Sequence, residues 1–469
     1  MKRIAATIFA ALLLLSLAAC KGGEPAEPDN TPAPTETALD TPAPALPTEA
    51  PGSEHVPDHS YNEETDFDKR LAMNGNFNGI IETEDVYYWL PDRDRFLRYC
   101  EKDGSDFGVL CGKPECVHDN GNAFGQSADK SCSGYIGSSR PYIWLMDGKL
   151  YYIDDFTYFR TYPDSCGVIM RMNLDGTGRE LFKVMPKPET PYGESMCPQY
   201  YCYHRGALYS FIMGNYVEDA EPSMPFVAGM FPLDGDEWTI IYDAGAGIHY
   251  GSVLPSGEFC YVVDQVWAGE ESTNRVLRWS SVTGELELLY EGFETGLIFR
   301  YWVDEEGDFY APQLPQDGEG PIERILRLED GKMVPAVDFE DPETVYTERS
   351  VAGGVVIARN YVPYDRNSYV KYGKDTDIDI WIKRFDNTTV YKGKLPMGWL
   401  DSIENTPRFE GADLVSADET GMLCVFKMQR RSLEGSTDAT SLALVKYVFT
   451  EDGIDEILLG TTYMEIDNG

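Results

Sequence analysis

The sequence predicts an all-β fold, a β-propeller of about seven four-stranded blades behind a disordered N-terminal tether. Two observations lead to this prediction. From residue 61 onward, short runs rich in Tyr, Val, Ile and Phe alternate with Asp-Gly, Glu-Gly and Asn-Gly turns, and one phrase recurs through the whole region. No amphipathic helical pattern interrupts these runs. Strands at this spacing, separated by such turns, are typical of all-β proteins.

The recurring phrase is a turn with Gly or Asp followed by a strand rich in Tyr or Phe. It occurs in segments 147–152, 205–209, 256–261, 306–310 and 420–424. A second strand that carries Arg or Lys usually follows, and often a third. Seven such units fill residues 61–469 at about 58 residues each, where a blade typically needs ~40–50. Six or eight blades also fit, and the alternative folds are a pair of β-sandwiches or a solenoid.

A closed ring explains why the unit repeats. One small sheet cannot bury both of its faces, whereas a ring buries every blade against two neighbours. The hydrophobic fraction of 42% and the aromatic fraction of 13% supply a large core, which excludes a disordered chain, a polytopic membrane protein and a small disulfide scaffold. The 79 acids outweigh the 39 Lys and Arg, giving a net charge of −40. We therefore expect no nucleic-acid partner.

Residues 1–19 predict an export signal. Lys2 and Arg3 precede a 16-residue apolar run and a Leu-Ala-Ala-Cys quartet that ends at Cys20. The run is shorter than the ~20 residues of a spanning helix. The quartet resembles the lipobox of bacterial lipoproteins. That resemblance implies that Cys20 becomes the mature N-terminus and carries acyl chains such as palmitate, which anchor the protein to the outer face of the membrane. An ordinary secretory signal with an incidental Cys20 is the alternative.

Residues 20–60 predict a flexible linker after the lipidated cysteine. Residues 24–60 contain nine prolines and eight acids but no Lys, Arg or aromatic residue. Such a segment has too little apolar surface to fold and could extend to ~100 Å as a polyproline-like spacer. We expect His55 and His59 to be inert and residues 61–469 to form the propeller. Loss of residues 1–19 removes two cations and no acid, so the mature charge is −42.

Two segments resemble known proteins. The segment 171–181, Arg-Met-Asn-Leu-Asp-Gly-Thr-Gly-Arg-Glu-Leu, resembles the repeat of a domain-of-unknown-function family of bacterial surface propellers. That family is distantly similar to the YWTD propellers of low-density lipoprotein receptors. The segment 110–119, Leu-Cys-Gly-Lys-Pro-Glu-Cys-Val-His-Asp, resembles one found in exported lipoproteins of this build. Only the unit around 147–182 matches well, and the resemblance implies no ligand or catalytic residue.

A candidate metal site follows the first predicted blade. Cys111, Cys116, His118 and Cys132 form the pattern C-x4-C-x-H-x13-C in a stretch with turn residues and little strand pattern. Three thiolates and one imidazole are a sufficient tetrahedral set for zinc. A disulfide between two of the cysteines is the alternative outside the cytosol, and free thiols are a third possibility. With either cross-link we expect a structural site that holds a long loop.

A second C-x4-C-x-H pattern consists of Cys197, Cys202 and His204. It leads into a strand, where an odd separation places the two cysteines on opposite faces. We therefore expect no metal there. The remaining cysteines are expected to pack as small apolar side chains: Cys100, Cys166, Cys260 and Cys424.

The sequence favours a binding function over catalysis. It contains no H-E-x-x-H, G-x-S-x-G or phosphate-binding G-x-x-x-x-G-K-[ST] motif. We expect a monomeric, non-enzymatic propeller that binds an extracellular peptide, glycan or envelope partner. The alternatives are a carbohydrate-active enzyme (glycosidase or lyase) that uses carboxylates in the channel, and a structural envelope protein. Some aromatic residues are candidates for stacking on sugars or, alternatively, for core packing: Tyr200, Tyr201, Tyr203 and Trp267.

Overall fold

The computed structural model consists of seven four-stranded antiparallel sheets that form the blades of a ring, which confirms the predicted seven-bladed β-propeller. In every sheet the four strands follow one another along the chain as a meander. The compact unit that contains the ring runs from Pro57 to Gly469. The predicted signal peptide, Cys20 and the linker up to residue 54 lie outside the described residues.

The structure describes residues 55–72, 79–91, 95–118, 130–138, 142–155, 157–158, 160–192, 198–213, 224–245, 247–268, 271–292, 301–313, 324–340, 346, 348–360, 376–403, 408–431 and 438–465.

The strands of blades 1 to 4 are, in chain order, β1 Gly79–Glu82, β2 Val86–Leu90, β3 Arg98–Glu101, β4 Phe107–Val109, β5 Ile143–Met146, β6 Lys149–Asp154, β7 Ser165–Asn173, β8 Glu180–Pro186, β9 Pro198–His204, β10 Ala207–Met213, β11 Phe226–Pro232, β12 Thr239–Asp243, β13 Ile248–Ser256, β14 Phe259–Ala268, β15 Glu271–Ser280 and β16 Leu286–Gly292. Those of blades 5 to 7 are β17 Trp302–Val303, β18 Phe309–Pro312, β19 Arg324–Glu329, β20 Lys332–Asp338, β21 Glu348–Ala352, β22 Val355–Arg359, β23 Asp379–Arg384, β24 Thr389–Lys394, β25 Arg408–Ala417, β26 Gly421–Arg431, β27 Asp438–Thr450 and β28 Gly453–Glu465. A short 3₁₀ helix, Gly398–Ser402, precedes blade 7.

The first strand of each blade lies nearest the axis of the ring. First strands of neighbouring blades contact each other. For example, β1 contacts β5, and β9 contacts β13. The fourth strands are the outer ones, since β16 buries one of its seven residues and β24 buries none of its six. Every blade therefore runs from the axis outward, and the turns between first and second strands all lie at one end of the ring. We call this end the hairpin face and the opposite end the loop face.

The recurring phrase of the sequence corresponds to the turns of the hairpin face. In blade 2, Asp147 and Gly148 have φ of 51° and 67°, and in blade 3, Arg205 and Gly206 have φ of 47° and 78°. Two successive residues with positive φ are the requirement of a type I′ hairpin turn, whose twist matches that of the flanking strands. Glycine meets this requirement without steric cost, which explains its place in these two turns.

The ring is closed by apolar packing between blades 7 and 1. Trp89 and Cys100 of blade 1 share a buried core with Leu444 and Leu459 of blade 7, and all four side chains are fully buried. Similar cores lie between the other neighbouring blades. Each blade has four strands of its own, so no strand is exchanged to close the ring.

Residues 57–72, which we call the seam segment, cross the hairpin face. At blade 4 the N–H of Asp58 donates to the Glu258 carboxylate at 2.9 Å, and the N–H of Glu258 donates to the Asp58 carbonyl at 2.8 Å. At blade 3 the Arg205 guanidinium donates to the carboxylates of Asp58 at 2.8 Å and Asp66 at 2.9 Å. The first half of the seam segment is thus fixed to the turns of two neighbouring blades.

The second half of the seam segment continues to blades 5 and 6. Lys69 Nζ donates to the carbonyl of Asp304 in blade 5 at 3.0 Å. The Lys69 carbonyl accepts a hydrogen bond from the N–H of Gly353 in blade 6 at 2.9 Å. One residue of the seam segment therefore bonds to the first turns of two blades.

Arg70 completes the path at blades 7 and 1. Its carbonyl accepts from the N–H of Ala417 in blade 7 at 2.9 Å, and its guanidinium donates to the Glu82 carboxylate of blade 1 at 2.6 Å. Within the described chain, the seam segment thus contacts the ring at or beside six of the seven first turns. Because these turns surround the axis, the seam segment spans the mouth of the central channel at the hairpin face.

The seam segment also contributes side chains to the interior. Phe67 is 4% exposed and belongs to the core of blades 3, 4 and 5. The His59 ring packs against Phe259 of blade 4, with 4.9 Å between centroids, and against Gly307 of blade 5. His59, expected to be inert, therefore lies in an interface.

The loop face is the end at which the second strand of a blade leads to the third, and at which one blade leads to the next. The described parts of these connections include residues 110–118 and 130–138 before β5 and residues 395–403 before β25. In the portion of the chain that the structure describes, no helix has the length and apolar character needed to cross a membrane.

We predict that Phe67→Ala lowers the free energy of unfolding by about 3–5 kcal/mol, because it removes a buried ring and leaves a cavity among three blades. Urea unfolding followed by tryptophan fluorescence measures this. Phe107→Ala is the control, since that ring is 43% exposed and its loss should cost less than about 1 kcal/mol. Equal losses for the two variants would show that the seam segment contributes nothing to the core.

Candidate metal centre

The candidate metal residues lie in the connection between β4 and β5. Both ends of this connection are fixed to the chain just before β3. The N–H of Leu110 donates to the Leu97 carbonyl at 2.8 Å, and the N–H of Leu97 donates to the Gly134 carbonyl at 2.9 Å. The N–H of Ile136 donates to the Arg95 carbonyl at 2.8 Å. These bonds bring the two parts of the connection, before and after residues 119–129, side by side.

The four residues that the sequence pattern singled out come together in space. One ligand atom from each of Cys111, Cys116, His118 and Cys132 lies within 4.8 Å of all the others. Ligands about 2.3 Å from a tetrahedral zinc are about 3.8 Å apart, so the group needs only a small contraction around an ion. Among the described residues it is the one group of His, Cys, Asp and Glu side chains with this geometry.

The cysteines of the group are not cross-linked. No disulfide joins any of the eight described cysteines, whereas Cys20 and Cys197 lie outside the described residues. A disulfide would use two thiols and leave the imidazole without a role. The arrangement of four converging ligand atoms fits a metal ion better than it fits one S–S bond.

His118 has two features expected of a metal ligand. Its Nε2 atom is buried and has no hydrogen-bond partner, a costly state unless another group binds there. Its backbone has φ of 53°, in the left-handed region that a residue with a Cβ seldom adopts. Strain of this kind is concentrated at functional positions.

The thiols differ in their tendency to ionise. Burial raises the pKa of Cys132 to about 12, and hydrogen bonds with Cys111 and Cys116 act in the same direction. Burial also opposes ionisation of Cys111, but hydrogen bonds from Ser133, the Lys113 backbone and His118 outweigh it and lower its pKa to about 6. A bound metal ion would hold all three sulfurs as thiolates, because the thiolate is the ligand form.

Residues around the centre hold it in place. Ser133 Oγ donates to Cys111 Sγ at 3.4 Å. Arg179 of blade 2 donates from Nη1 to the carbonyl of Cys132 at 3.2 Å. Phe96 packs edge to face on Tyr135, with 5.9 Å between ring centroids, in a small core beside the cysteines. Such outer contacts orient the ligands of metal sites, and here they join blade 1 to blade 2.

The donor set indicates a structural site. Four protein ligands fill a tetrahedral zinc completely, whereas catalytic zinc keeps one position for water or substrate. The centre can therefore fix the connection between blades 1 and 2 but offers no position for a reacting group.

The second cysteine pattern does not form a comparable group. Cys202 is buried in the core of blades 3 to 5, and His204 bonds instead to the seam segment and to Gly257. Cys197 lies outside the described residues. The cysteines predicted to pack as small apolar side chains are buried, as expected: Cys100, Cys166, Cys260 and Cys424.

Most of the candidate stacking aromatics are part of the core. Tyr201 and Tyr203 are 4% and 6% exposed and lie between blades 2 and 3, where Tyr203 stacks on Trp144 at 5.8 Å. Tyr200 is half-buried against Phe211. Trp267, at the loop-face end of β14, is 40% exposed and remains available to a ligand.

A buried polar network between blades 3 and 4 was not anticipated from the sequence. His249 Nδ1 lies 3.0 Å from one oxygen of the Asp264 carboxylate, and the Tyr242 hydroxyl donates to the other at 2.8 Å. Burial and the Asp264 charge both raise the pKa of Tyr242. The three residues lie on three different strands, so no local pattern reveals them. The network satisfies a fully buried carboxylate.

No protein-family model matches the sequence, and no curated protein matches it significantly. Among solved structures, it is similar to a prolyl endopeptidase, with 12% identity over 84% of this chain and 51% of that one and a TM-score of 0.43. It is also similar to the polysaccharide lyase Uly1, with 9% identity over 88% of this chain and 94% of that one and a TM-score of 0.40. A third similar structure is the Pyrococcus horikoshii acylaminoacyl peptidase, with 11% identity over 83% of this chain and 53% of that one and a TM-score of 0.39. The chain spans about half the length of the two peptidases. These likenesses concern the fold alone.

Proposed function

We propose that this protein is an exported lipoprotein, anchored through Cys20, whose propeller binds a partner outside the cell and catalyses no reaction. The anchor rests on the basic, apolar and Leu-Ala-Ala-Cys sequence pattern at the N-terminus. The observation that supports the binding role is that the seam segment crosses the hairpin face. The loop face is therefore the face that we expect to be free for a partner.

The first residues of the compact unit lie at the hairpin face. The chain enters the compact unit at Pro57 and is bonded to blade 4 from Asp58 onward. The same face is then crossed by the rest of the seam segment. A partner therefore reaches the channel and the longer connections from the loop face, as is common for propellers and other scaffolds that carry binding residues on loops.

The side chains favour binding over catalysis. The carbohydrate-active alternative needs two or three carboxylates that converge in the channel. The group of converging ligand atoms that the described residues do form, at Cys111, Cys116, His118 and Cys132, contains no carboxylate and so offers no acid–base pair for such a reaction. The buried His249–Asp264 pair is engaged in packing two blades together.

Charge and exposed aromatics suggest the partner's chemistry. A mature charge of −42 disfavours polyanions and suits a neutral or cationic peptide, glycan or envelope component. Trp267 and Tyr250 form an edge-to-face pair, with 6.4 Å between ring centroids, at the loop-face end of blade 4. The exposed Trp267 ring, supported by the half-buried Tyr250, supplies apolar contact to a sugar ring or a peptide side chain.

We further propose that Cys111, Cys116, His118 and Cys132 bind one structural zinc ion. The converging ligand atoms, the unpartnered Nε2 of His118 and the thiol-rich donor set support this choice. The ion would fix the connection between blades 1 and 2 and with it one side of the loop face.

The anchor is tested with the full-length chain expressed in a bacterial host. We predict that the wild type incorporates a palmitate analogue and partitions into detergent, whereas Cys20→Ala takes up no label and stays in the aqueous phase, because a protein without acyl chains lacks stable anchoring. Cys166→Ala is the control and should behave as the wild type. Labelling of Cys20→Ala would contradict lipidation at this residue.

The zinc site is tested by elemental analysis and native mass spectrometry. We predict about one zinc per chain in the wild type and none in Cys116→Ala or Cys132→Ala. The free energy of unfolding of both variants should be lower than that of the wild type by at least about 3 kcal/mol, because a ligand present at a hundred times its Kd stabilises the folded state by about that amount. Cys424→Ala, buried in blade 7, should keep the ion. A metal-free wild type whose mass is lower by two hydrogens would establish a disulfide instead.

The binding role is tested on arrays of neutral and basic glycans and peptides, with cleavage products measured in parallel. We predict retention of a ligand without product release, and about tenfold weaker binding by Trp267→Ala, which corresponds to about 1.4 kcal/mol. Leu288→Ala is the control, because that exposed side chain lies on the outer strand of blade 4. Turnover of a glycan by the wild type would favour the carbohydrate-active alternative.

A further inference from the structure

The hydrogen bonds of His204 determine its protonation state. The backbone N–H of Phe67, in the seam segment, donates to His204 Nδ1 at 3.0 Å. His204 Nε2 lies 2.6 Å from the carbonyl oxygen of Gly257 in the first turn of blade 4. A backbone N–H only donates and a carbonyl only accepts. The imidazole must therefore be neutral, with its proton on Nε2.

We propose that His204 is an acid-sensitive latch that holds the seam segment on the ring when it is neutral. A second proton, on Nδ1, places the Nδ1–H and the backbone N–H of Phe67 face to face, and because both are donors the hydrogen bond to Phe67 is lost. Phe67 is the residue whose side chain enters the core of blades 3 to 5. Loss of its backbone hydrogen bond therefore loosens the seam segment where it is most deeply buried. Acid would in this way open the mouth of the channel at the hairpin face. The inference is independent of the proposed binding role.

Each element packed around His204 contributes groups that affect its protonation. The seam segment presents Asp66, whose carboxylate oxygen is 3.9 Å from Nδ1, and the Lys69 ammonium. The turn after His204 contributes Arg205, and β10 contributes Tyr209, whose ring centroid lies 6.1 Å from that of His204.

The acids near His204 already have partners. Both Asp66 oxygens accept hydrogen bonds from Arg205, at 2.9 and 3.2 Å. The Glu258 carboxylate, one residue after Gly257, accepts from the Asp58 N–H and the Ser280 hydroxyl, both at 2.9 Å. A protonated His204 would therefore have to share with Arg205 the Asp66 oxygen that lies 3.9 Å from Nδ1.

The direction of the pH effect follows from the surroundings of the ring. Burial lowers the pKa of His204, and Arg205 and Lys69 act in the same direction, against the Gly257 carbonyl and Asp66. A released, hydrated His204 titrates near its ordinary value of about 6.5. Between the lowered pKa and about 6.5, the released form binds more protons. The latch is therefore fully effective above this window and weakens as the pH falls through it.

Hydrogen exchange of the full chain, measured by mass spectrometry at pH 7.5 and pH 5.5, tests the latch. After correction for the intrinsic exchange rate, we expect the protection of peptides that cover residues 57–72 to fall about tenfold at pH 5.5, since one pKa unit is a factor of ten. In His204→Gln the amide can accept from Phe67 and donate to Gly257 but cannot be charged. Its protection should be equal at the two pH values.

Two other histidines supply controls. His59→Gln removes the other imidazole that packs in the seam segment, and His249→Gln removes a buried imidazole between blades 3 and 4. Both variants should keep the wild-type pH response. Equal protection of the wild type at the two pH values would overturn the latch, and this outcome requires no variant to fold. A pH response that persists in His204→Gln but disappears in His59→Gln would overturn it as well.

Discussion

The structure depends on one constraint, namely that each four-stranded blade has two apolar faces and can bury both only inside a closed ring. The junction between blades 7 and 1 is therefore the critical one, because covalent continuity does not hold it together. Here it is closed by packing, with Trp89 and Leu444 fully buried in a shared core, and by Arg70, which bonds to blade 7 and to blade 1. Because every blade is built from its own four strands, the ends of the chain must be secured by another device.

The seam segment is that device. It connects an N-terminal stretch to blades whose partner residues follow it by roughly 140 to 350 positions, from Arg205 to Ala417. Such distant contacts carry a high loop-closure cost, which the bonds to six blades have to offset. The segment also joins the last blade to the first, because Arg70 bonds to Ala417 of blade 7 and to Glu82 of blade 1.

The repeated hairpins and the metal group were predictable because both are local. A type I′ turn requires positive φ at successive residues, so Asp147 and Gly148 are visible in the sequence. The span from Cys111 to Cys132 is short enough for spacing to indicate convergence. The seam segment was not predictable, because residues such as Asp58 and Asp66 resemble those of the acidic linker and their partners are remote. Phe67, the second aromatic residue after the proline-rich stretch, was the available signal.

The seam segment and the connection between β4 and β5 hold different blades of the ring. Among the described contacts, the first turn of blade 2 is the one that the seam segment does not reach. Blade 2 is also the blade against which the metal centre packs, through the hydrogen bond from Arg179 to the Cys132 carbonyl. Six blades are thus tied at the hairpin face, and the seventh is tied to blade 1 by the connection that contains Cys111 and His118. Loss of either connection would leave a different part of the ring held by packing alone.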